Sequence, residues 1–206
     1  MDFLQFLKYE GVIFDLDGTL VNSMPLHIGA WSQVLEEYGI TADKDFLMAH
    51  GGVPSPKIAE IYIKQYNLNI SPKDLADKKS QRYLETIDTV EIYPQMLELL
   101  NFLKEHNIPM AIGTGTTRYN VDYIVCHTKL KEYIDFSVCA EDVVNCKPAP
   151  DTFLKAALLI NANPSKSIVF EDTPLGIDAA VRGKFNTAFV KAGEILEVDN
   201  KFLNMN

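Results

Sequence analysis

The chain has 206 residues, of which 47% are hydrophobic, and a formal net charge of −9. This length and apolar content suit one domain, or one domain with an insertion, around a sizeable core. Nucleic acids and anionic membrane surfaces attract clustered Lys and Arg, so the acidic balance argues against both as partners. A local positive site could still bind a small anionic substrate.

The N-terminal segment MDFLQFLKYE lacks a basic region followed by an apolar run, so we expect no signal peptide. No segment approaches the ~18 apolar residues of a membrane span. An odd number of cysteines without CxxC spacing predicts free thiols in a cytoplasmic protein. These cysteines are Cys126, Cys139 and Cys146.

The first predicted strand, residues 12–14, is followed by two carboxylates, Asp15 and Asp17, in the stretch FDLDGTL. In an extended chain, residues two apart point to the same side. The two acids therefore repel each other unless a cation lies nearby. The alternative is that Asp-Gly after a strand forms only a turn.

The next part of the chain, from residue 24 to about residue 90, contains no strand-like run. Its three segments of helical period are 26–39, 55–67 and 71–87. The last two begin with Ser-Pro, which predicts Ser at the N-cap and Pro at the first helical position. We interpret this insertion as a helical cap, residues 21–90, on a core formed by residues 1–20 and 91–206.

Apolar runs then alternate with helical patterns. The further predicted strands are 109–114, 136–140, 167–171 and 187–191, and the helices are 94–107, 151–161 and 175–184. This alternation is typical of an α/β fold, a doubly wound, Rossmann-like parallel sheet with helices on both faces. Ligands of such sheets bind at the carboxyl ends of the strands.

Polar residues follow each of the central strands. Thr114 and Gly115 follow the second strand, Lys147 comes shortly after the third, and Glu171 and Asp172 end the fourth. Taken singly, Lys147 could be a solvated loop lysine, and the two acids could cap a helix. The loop GTGTTR matches neither the dinucleotide-binding nor the P-loop pattern.

Taken together, these residues predict phosphoryl transfer. Four carboxylates in one crevice require a cation, and oxygen ligands favour Mg²⁺. Lys147, Thr114 and the N–H groups around Gly115 would then face a phosphate. Asp15 would attack phosphorus and form an aspartyl phosphate, while Asp17 would act as acid and base.

The stretches FDLDGTL, GTGTTR, CKPAPD and FEDTPLGIDAA resemble, in order, the four motifs of the haloacid dehalogenase superfamily. The resemblance implies that Asp15 is the nucleophile and Asp17 the general acid and base. It also implies that Thr114 and Lys147 bind phosphate. Mg²⁺ would be held by Asp15, the backbone carbonyl of Asp17 and Asp172, with Glu171 close by.

The helical insertion is similar to the cap of the β-phosphoglucomutase branch and of the sugar phosphatases near it. The resemblance places His27, Trp31, Gly52, Lys57 and Lys79 on the substrate side of that cap. Trp31 could instead belong to the cap core, and Lys79 could be a solvated helix lysine. Ser55 stands where the mutases carry a phosphate-binding arginine, which favours a phosphatase over a mutase.

The sequence therefore predicts a monomeric, cytoplasmic, Mg²⁺-dependent phosphatase for a small phosphorylated sugar or sugar acid. The first alternative is a hexose-phosphate mutase of the β-phosphoglucomutase type. A more distant alternative is a non-enzymatic phospho-acceptor domain, against which the insertion after the first strand argues. The sequence does not determine which sugar phosphate is the substrate.

Overall fold

The computed structural model describes residues 2–203. These residues divide into two compact units. The first lies within Met1–Asn22 and Glu91–Asn206, and the second is Ser23–Val90.

The first unit contains the sheet. Its strands are Gly11–Phe14 (β1), Met110–Gly113 (β2), Phe136–Val138 (β3), Ser167–Glu171 (β4), Asn186–Lys191 (β5) and Glu194–Asp199 (β6). In the part of the chain that the structure describes, they form one sheet in the order β3-β2-β1-β4-β5-β6. The first five strands run parallel, which confirms the predicted α/β class.

The edge strand β6 departs from the predicted parallel arrangement because it pairs antiparallel to β5. The two strands are joined by Ala192 and Gly193, whose φ angles are 49° and 77°. Two successive positive φ angles are typical of the tightest hairpin turn, which reverses the chain without a crossover helix. The sheet is therefore parallel except at this edge.

Helices cover both faces of the sheet. They are Pro94–Glu105 (α5), Arg118–His127 (α6), Asp151–Leu159 (α7) and Pro174–Arg182 (α8). Side chains alternate between the two faces of a sheet along each strand. Ile13 and Val169 lie on one face and pack in a core cluster with residues of α7 and α8. Phe14 and Phe170 stack on each other with ring centroids 4.9 Å apart, and Phe170 also contacts Phe6.

The second unit consists of Met24–Glu36 (α1), Lys44–Ala49 (α2), Ser55–Tyr66 (α3) and Pro72–Leu84 (α4). Trp31, Leu35, Tyr62 and Leu75 belong to its own buried apolar cluster. The short helix α2 was not predicted, because six residues are too few to show a helical period. None of the helices in residues 2–203 is long and apolar enough to cross a membrane.

The two Ser-Pro helix starts differ. Ser71 is the N-cap of α4, as predicted, and its side chain accepts the Asp74 N–H at 3.1 Å. At α3 the prediction is wrong, because Pro54 is the N-cap and Ser55 is already the first helical residue. Pro54 has no side-chain acceptor, so no capping bond forms at this helix start.

The chain leaves the first unit and returns to it at neighbouring points. Val21 and Ile92 form an antiparallel bridge. On either side of it, the Asn22 N–H donates to the Glu91 carbonyl at 2.9 Å, and the Tyr93 N–H donates to the Leu20 carbonyl at 3.0 Å. We call this paired segment, residues 20–22 and 91–93, the neck.

Candidate active site

The register of the sheet brings the predicted site residues to one edge. Phe14 is level with Ile112 of β2 and with Phe170 of β4. The next residues along these two adjacent strands, Asp15 and Glu171, therefore lie at the same level, at the carboxyl end of the sheet. The strand order turns at this point, since β2 lies on one side of β1 and β4 on the other. Ligands of doubly wound sheets bind at such switch points.

Lys147 lies between two of these acids. Its Nζ donates to Asp15 Oδ1 and to Glu171 Oε2, both at 2.7 Å. The Lys147 side chain is only 6% exposed, so it is not the solvated loop lysine that was the alternative. Both bonds are donated by an ammonium group in a buried setting, where charge-assisted hydrogen bonds are strong.

The Phe153 ring contacts the ammonium group of this lysine, and this contact was not predicted from the sequence. The Lys147 Nζ lies 4.5 Å from the centroid of the Phe153 ring, a cation–π distance. A Cβ on Gly113 would lie only 2.9 Å from the same ring, so this glycine makes room for it. The only sequence signal was the aromatic residue six positions after the lysine.

Three carboxylates meet beside Lys147. Oxygen atoms of Asp15, Glu171 and Asp172 all lie within 4.8 Å of one another. The Thr19 hydroxyl, also not predicted, donates to Asp172 Oδ1 at 3.2 Å. An all-oxygen set of this kind, in which Asp15 and Glu171 are buried and Asp172 is partly exposed, fits a hard divalent cation.

The pKa shifts at this cluster reflect burial first and then repulsion between its carboxylates. Burial, and then the charge of Glu171, raise the pKa of Asp15 well above its ordinary value, although Lys147 opposes the shift. The same two causes raise the pKa of Asp172 to about 7. Burial disfavours the charged form of Lys147, but Asp15 and Glu171 outweigh it and its pKa is raised. One ammonium group therefore does not neutralise the three acids.

Glu171 is held by its own neighbours. Its Oε1 accepts the Thr173 N–H at 2.9 Å and the Thr173 hydroxyl at 2.7 Å, while Oε2 accepts Lys147. A Cβ on Gly176 would lie 2.0 Å from the Glu171 carboxyl, so only glycine leaves space there. Thr173 and Gly176 are further residues that the sequence did not single out.

Asp17 lies on the turn after β1, where Gly18 has a φ of 83°. Its Oδ2 accepts a hydrogen bond from the hydroxyl of Thr116. Thr116 comes from the loop after β2 and was not predicted as a site residue. This contact joins the turn that carries both aspartates to the loop that carries Thr114.

The loop after β2 is fixed by several contacts. The buried Thr114 hydroxyl accepts the Thr116 N–H at 3.1 Å. At the start of α6, the Arg118 N–H donates to Glu141 Oε2 at 2.9 Å. Two of the N–H groups in the predicted anion site around Gly115 are thus already bonded within the protein.

Arg118 ties this loop to the next one. Its guanidinium donates to Ser137 Oγ at 2.6 Å and also forms an ion pair with Asp142. Asp142 in turn accepts the Cys139 N–H at 2.8 Å. The loops that follow β2 and β3 are therefore held to each other beside the site.

The residues predicted to face substrate from the cap lie in the helical unit, Ser23–Val90. His27 Nδ1 lies 2.6 Å from Lys79 Nζ, and the His27 ring stacks on Tyr83 with centroids 4.1 Å apart. Lys79 is only 4% exposed, so the solvated-lysine alternative is wrong. Trp31 is packed against Tyr62 in the apolar cluster. Gly52, with a φ of 78°, and Lys57 are exposed.

Known proteins are similar to this chain in sequence and in fold. The family model for haloacid dehalogenase-like hydrolases matches residues 12–190. A fructose-1-phosphate phosphatase of Escherichia coli is 36% identical over 176 residues, which cover 84% of this chain and 92% of that protein. A phosphorylated carbohydrates phosphatase of Thermotoga maritima is 31% identical over 175 residues, covering 83% of this chain and 80% of that protein.

Among solved structures, a β-phosphoglucomutase from Clostridium difficile superposes with a TM-score of 0.80 at 26% identity. The match covers 94% of this chain and 92% of that one. With the family model spanning most of the chain and the four motifs gathered at one edge of the sheet, the chain belongs to the haloacid dehalogenase-like hydrolase family.

Proposed function

We propose that this chain is a Mg²⁺-dependent phosphatase that hydrolyses a small phosphorylated sugar or sugar acid. The observation that supports it most directly is the buried lysine bonded to Asp15 and Glu171 beside Asp172. Such a cluster can hold a divalent cation and a phosphate together. Charge stabilisation of this kind supplies most of the catalysis in phosphoryl transfer.

The proposed reaction has two steps. In the first, Asp15 attacks phosphorus to form an aspartyl phosphate, and Asp17 gives a proton to the departing alkoxide. In the second, Asp17 takes a proton from water as the water oxygen attacks the aspartyl phosphate. Phosphate leaves and the Asp15 carboxylate is regenerated.

Lys147 keeps its charge throughout, because its raised pKa lies above any working pH. It would favour the ionised form of Asp15 and face the phosphate oxygens. Mg²⁺, held by Asp15, Asp172 and the Asp17 backbone carbonyl, would supply further positive charge toward the phosphate. Thr114 and the loop at Gly115 would contact the remaining phosphate oxygens.

The proposed substrate class rests on the two relatives described above, a fructose-1-phosphate phosphatase and a phosphorylated carbohydrates phosphatase. In this proposal the helical unit selects the sugar through His27, Trp31, Lys79 and the loop from Gly52 to Lys57. The enzyme would act as a monomer in the cytoplasm, on small molecules rather than on nucleic acid or membranes. The net charge of −9 and the three free cysteines agree with this.

The test is a substrate panel with Mg²⁺: fructose 1-phosphate, glucose 6-phosphate, 6-phosphogluconate and β-glucose 1-phosphate. Free phosphate is measured in each case. We expect release from at least one sugar phosphate, and we expect both EDTA and Asp15→Asn to abolish it. Turnover by Asp15→Asn near the wild-type rate would remove Asp15 from the nucleophile role.

The second candidate is a hexose-phosphate mutase, which the likeness to β-phosphoglucomutase favours. A mutase must hold the non-reacting phosphate of a sugar bisphosphate. Ser55 and the exposed Lys57 offer a weaker contact there than an arginine fork. In the same panel, glucose 6-phosphate formed from β-glucose 1-phosphate without phosphate release would reverse the ranking.

A further inference from the structure

A cavity of about 490 Å³ lies between α8 and the hairpin formed by β5 and β6. Small-molecule sites in proteins commonly have volumes of about 300 to 1,000 Å³, so this cavity is large enough for a ligand. It lies at the edge of the sheet, where β6 runs antiparallel to β5. None of the residues that line it is assigned to phosphoryl transfer, so its lining is distinct from the candidate active site.

The register of β5 and β6 explains how polar side chains come to line this cavity. Thr187 is paired with Asp199, and Phe189 is paired with Glu197. Directly paired residues of antiparallel strands point to the same face of the sheet, and so do residues two apart on one strand. All four side chains therefore lie on the face next to α8, and all four line the cavity.

Thr187 presents a buried hydroxyl group to the cavity. The residue is only 6% exposed. Among the described residues, 2–203, this hydroxyl group has no hydrogen-bond partner. Buried polar groups in proteins nearly always have a partner. An unbonded hydroxyl that faces a cavity therefore indicates that the cavity receives a polar ligand or water.

The rim of the cavity is acidic. The Glu197 carboxylate forms no hydrogen bond or ion pair with the part of the chain that the structure describes, and the Asp199 carboxylate accepts one hydrogen bond, from the Lys201 N–H at 3.0 Å. The third acid of the lining, Asp178, is already paired with Arg182, whose Nη2 lies 2.6 Å from Asp178 Oδ2. None of the eight residues that line the cavity carries a positive charge. Two carboxylates are thus open to a positively charged ligand.

The spacing of these acids favours an organic cation over a metal ion. Glu197 and Asp199 are two residues apart on one strand, which is about 7 Å along it. A metal ion requires its oxygen ligands to converge on one point, at about 2.0 to 2.6 Å from it. Within residues 2–203, the one group of three or more potential ligands close enough for this is Asp15, Glu171 and Asp172.

The remaining lining of the cavity is largely apolar. Ile177 and Val181, four residues apart on one face of α8, line it together with the Phe189 ring. Methylene groups can pack on these side chains, and an ammonium group can lie against the aromatic ring. A ligand that fits the whole cavity therefore combines a short apolar chain with positive charge at both ends.

We propose that this cavity binds an aliphatic diamine, a small molecule with two ammonium groups joined by a short methylene chain. One ammonium group pairs with Glu197 and the other with Asp199. The chain lies on the apolar lining. The Thr187 hydroxyl, directly opposite Asp199 in the register, accepts a hydrogen bond from the second ammonium group. This binding is independent of the proposed phosphatase reaction.

The test is calorimetric titration of the full chain with 1,4-diaminobutane at low salt, with Mg²⁺ in excess to compete for the acids of the candidate active site. Because exposed ion pairs are individually weak, we expect one equivalent to bind with a Kd of about 0.1 to 1 mM. 1,4-Butanediol has the same chain length without charge and should not bind. In NMR spectra of the ¹⁵N-labelled protein, the amide signals of Thr187, Phe189 and Glu197 should shift on addition of the diamine.

Two variants each remove one contact of the proposed ligand. We expect the Kd for 1,4-diaminobutane to rise about threefold to tenfold in Glu197→Gln and in Thr187→Val. Glu194→Gln is the matched control, because Glu194 is an exposed acid of the same strand that does not line the cavity. It should bind the diamine as the wild type does. Melting temperature checks the fold, and Thr187→Val should be at least as stable as the wild type because it removes an unbonded hydroxyl.

Three results would overturn the proposal. The first is no saturable binding at concentrations about tenfold above the expected Kd. The second is an equal loss of affinity in Glu194→Gln and Glu197→Gln, which indicates general attraction to an acidic chain. The third is a shift of the amide signals around Asp15 and Asp172 in place of those in the hairpin. In each case the proposed phosphatase reaction would stand.

Discussion

At the scale of single residues, Lys147 places a positive charge among the carboxylates of the site. It is buried, lies over the Phe153 ring and donates to two carboxylates at 2.7 Å. Removing one partner of a buried ion pair is costly because the other partners stay buried without compensation. The same side chain thus stabilises the fold and, in the proposed function, faces the phosphate.

We expect Lys147→Met to lower the free energy of unfolding by about 3 kcal/mol at pH 8 and to reduce turnover at least about a thousandfold. Chemical denaturation and phosphate release measure the two effects. Lys166→Met is the control, because its ion pair with Glu10 is exposed and should contribute below about 1 kcal/mol. Equal stability losses in the two variants would contradict this account of Lys147.

Gly176 offers a second test at this scale. A Cβ there would lie 2.0 Å from the Glu171 carboxyl, which is itself bonded on both oxygens. We expect Gly176→Ala to destabilise the protein by about 2 kcal/mol and to impair turnover by displacing Glu171. Gly29→Ala is the control: nothing lies within 4 Å of its Cβ position in α1, so it should be neutral or stabilising. A Gly176→Ala protein of wild-type stability would contradict the close approach.

At the scale of elements, the sequence predicted the residues at strand ends because each directly follows an apolar run. Asp15, Thr114, Glu171 and Asp172 were placed in this way. Contacts made by side chains from other loops could not be predicted, because they depend on register and side-chain orientation. Phe153 beneath Lys147 is an example. The edge strand β6 was not among the predicted strands. Its antiparallel direction depends on the two-residue turn at Ala192 and Gly193.

The helix starts give a prediction at this scale. Ser71 caps α4 through the Asp74 N–H, whereas Ser55 lies inside α3 and caps nothing there. We expect Ser71→Ala to lower the free energy of unfolding by about 1 kcal/mol and Ser55→Ala to change it far less. Thermal melting of the two variants measures the difference. An equal effect at both positions would contradict the assignment of Pro54 as the α3 N-cap.

At the scale of the whole molecule, metal and pH act together on stability. The Asp172 pKa of about 7 lies above its ordinary value of 3.8, so the folded state binds this proton more tightly than the unfolded state. The resulting stability is fully present below about pH 4 and is lost as the pH rises through about 7. A cation bound to the ionised carboxylates would restore this stability at higher pH.

We therefore expect the metal-free protein to lose thermal stability between pH 5 and pH 8. The gain in melting temperature on adding Mg²⁺ should be larger at pH 8 than at pH 5. Melting curves in EDTA and in Mg²⁺ at the two pH values test this. Asp172→Asn should reduce both the pH dependence and the Mg²⁺ gain. A larger gain at pH 5 would contradict the sign of the shift.

Because the neck holds both ends of the helical unit together, this unit can be exchanged as one segment. Because Asn22 and Glu91 are hydrogen-bonded neighbours, the insertion begins and ends at nearly the same place, and the sheet needs no particular length of chain between them. The entropic cost of closing the inserted segment at such a point grows only slowly with the length of the segment. Residues 23–90 can therefore be exchanged as one piece, and in the proposed function such an exchange would change the substrate specificity while the residues at the sheet edge stay unchanged.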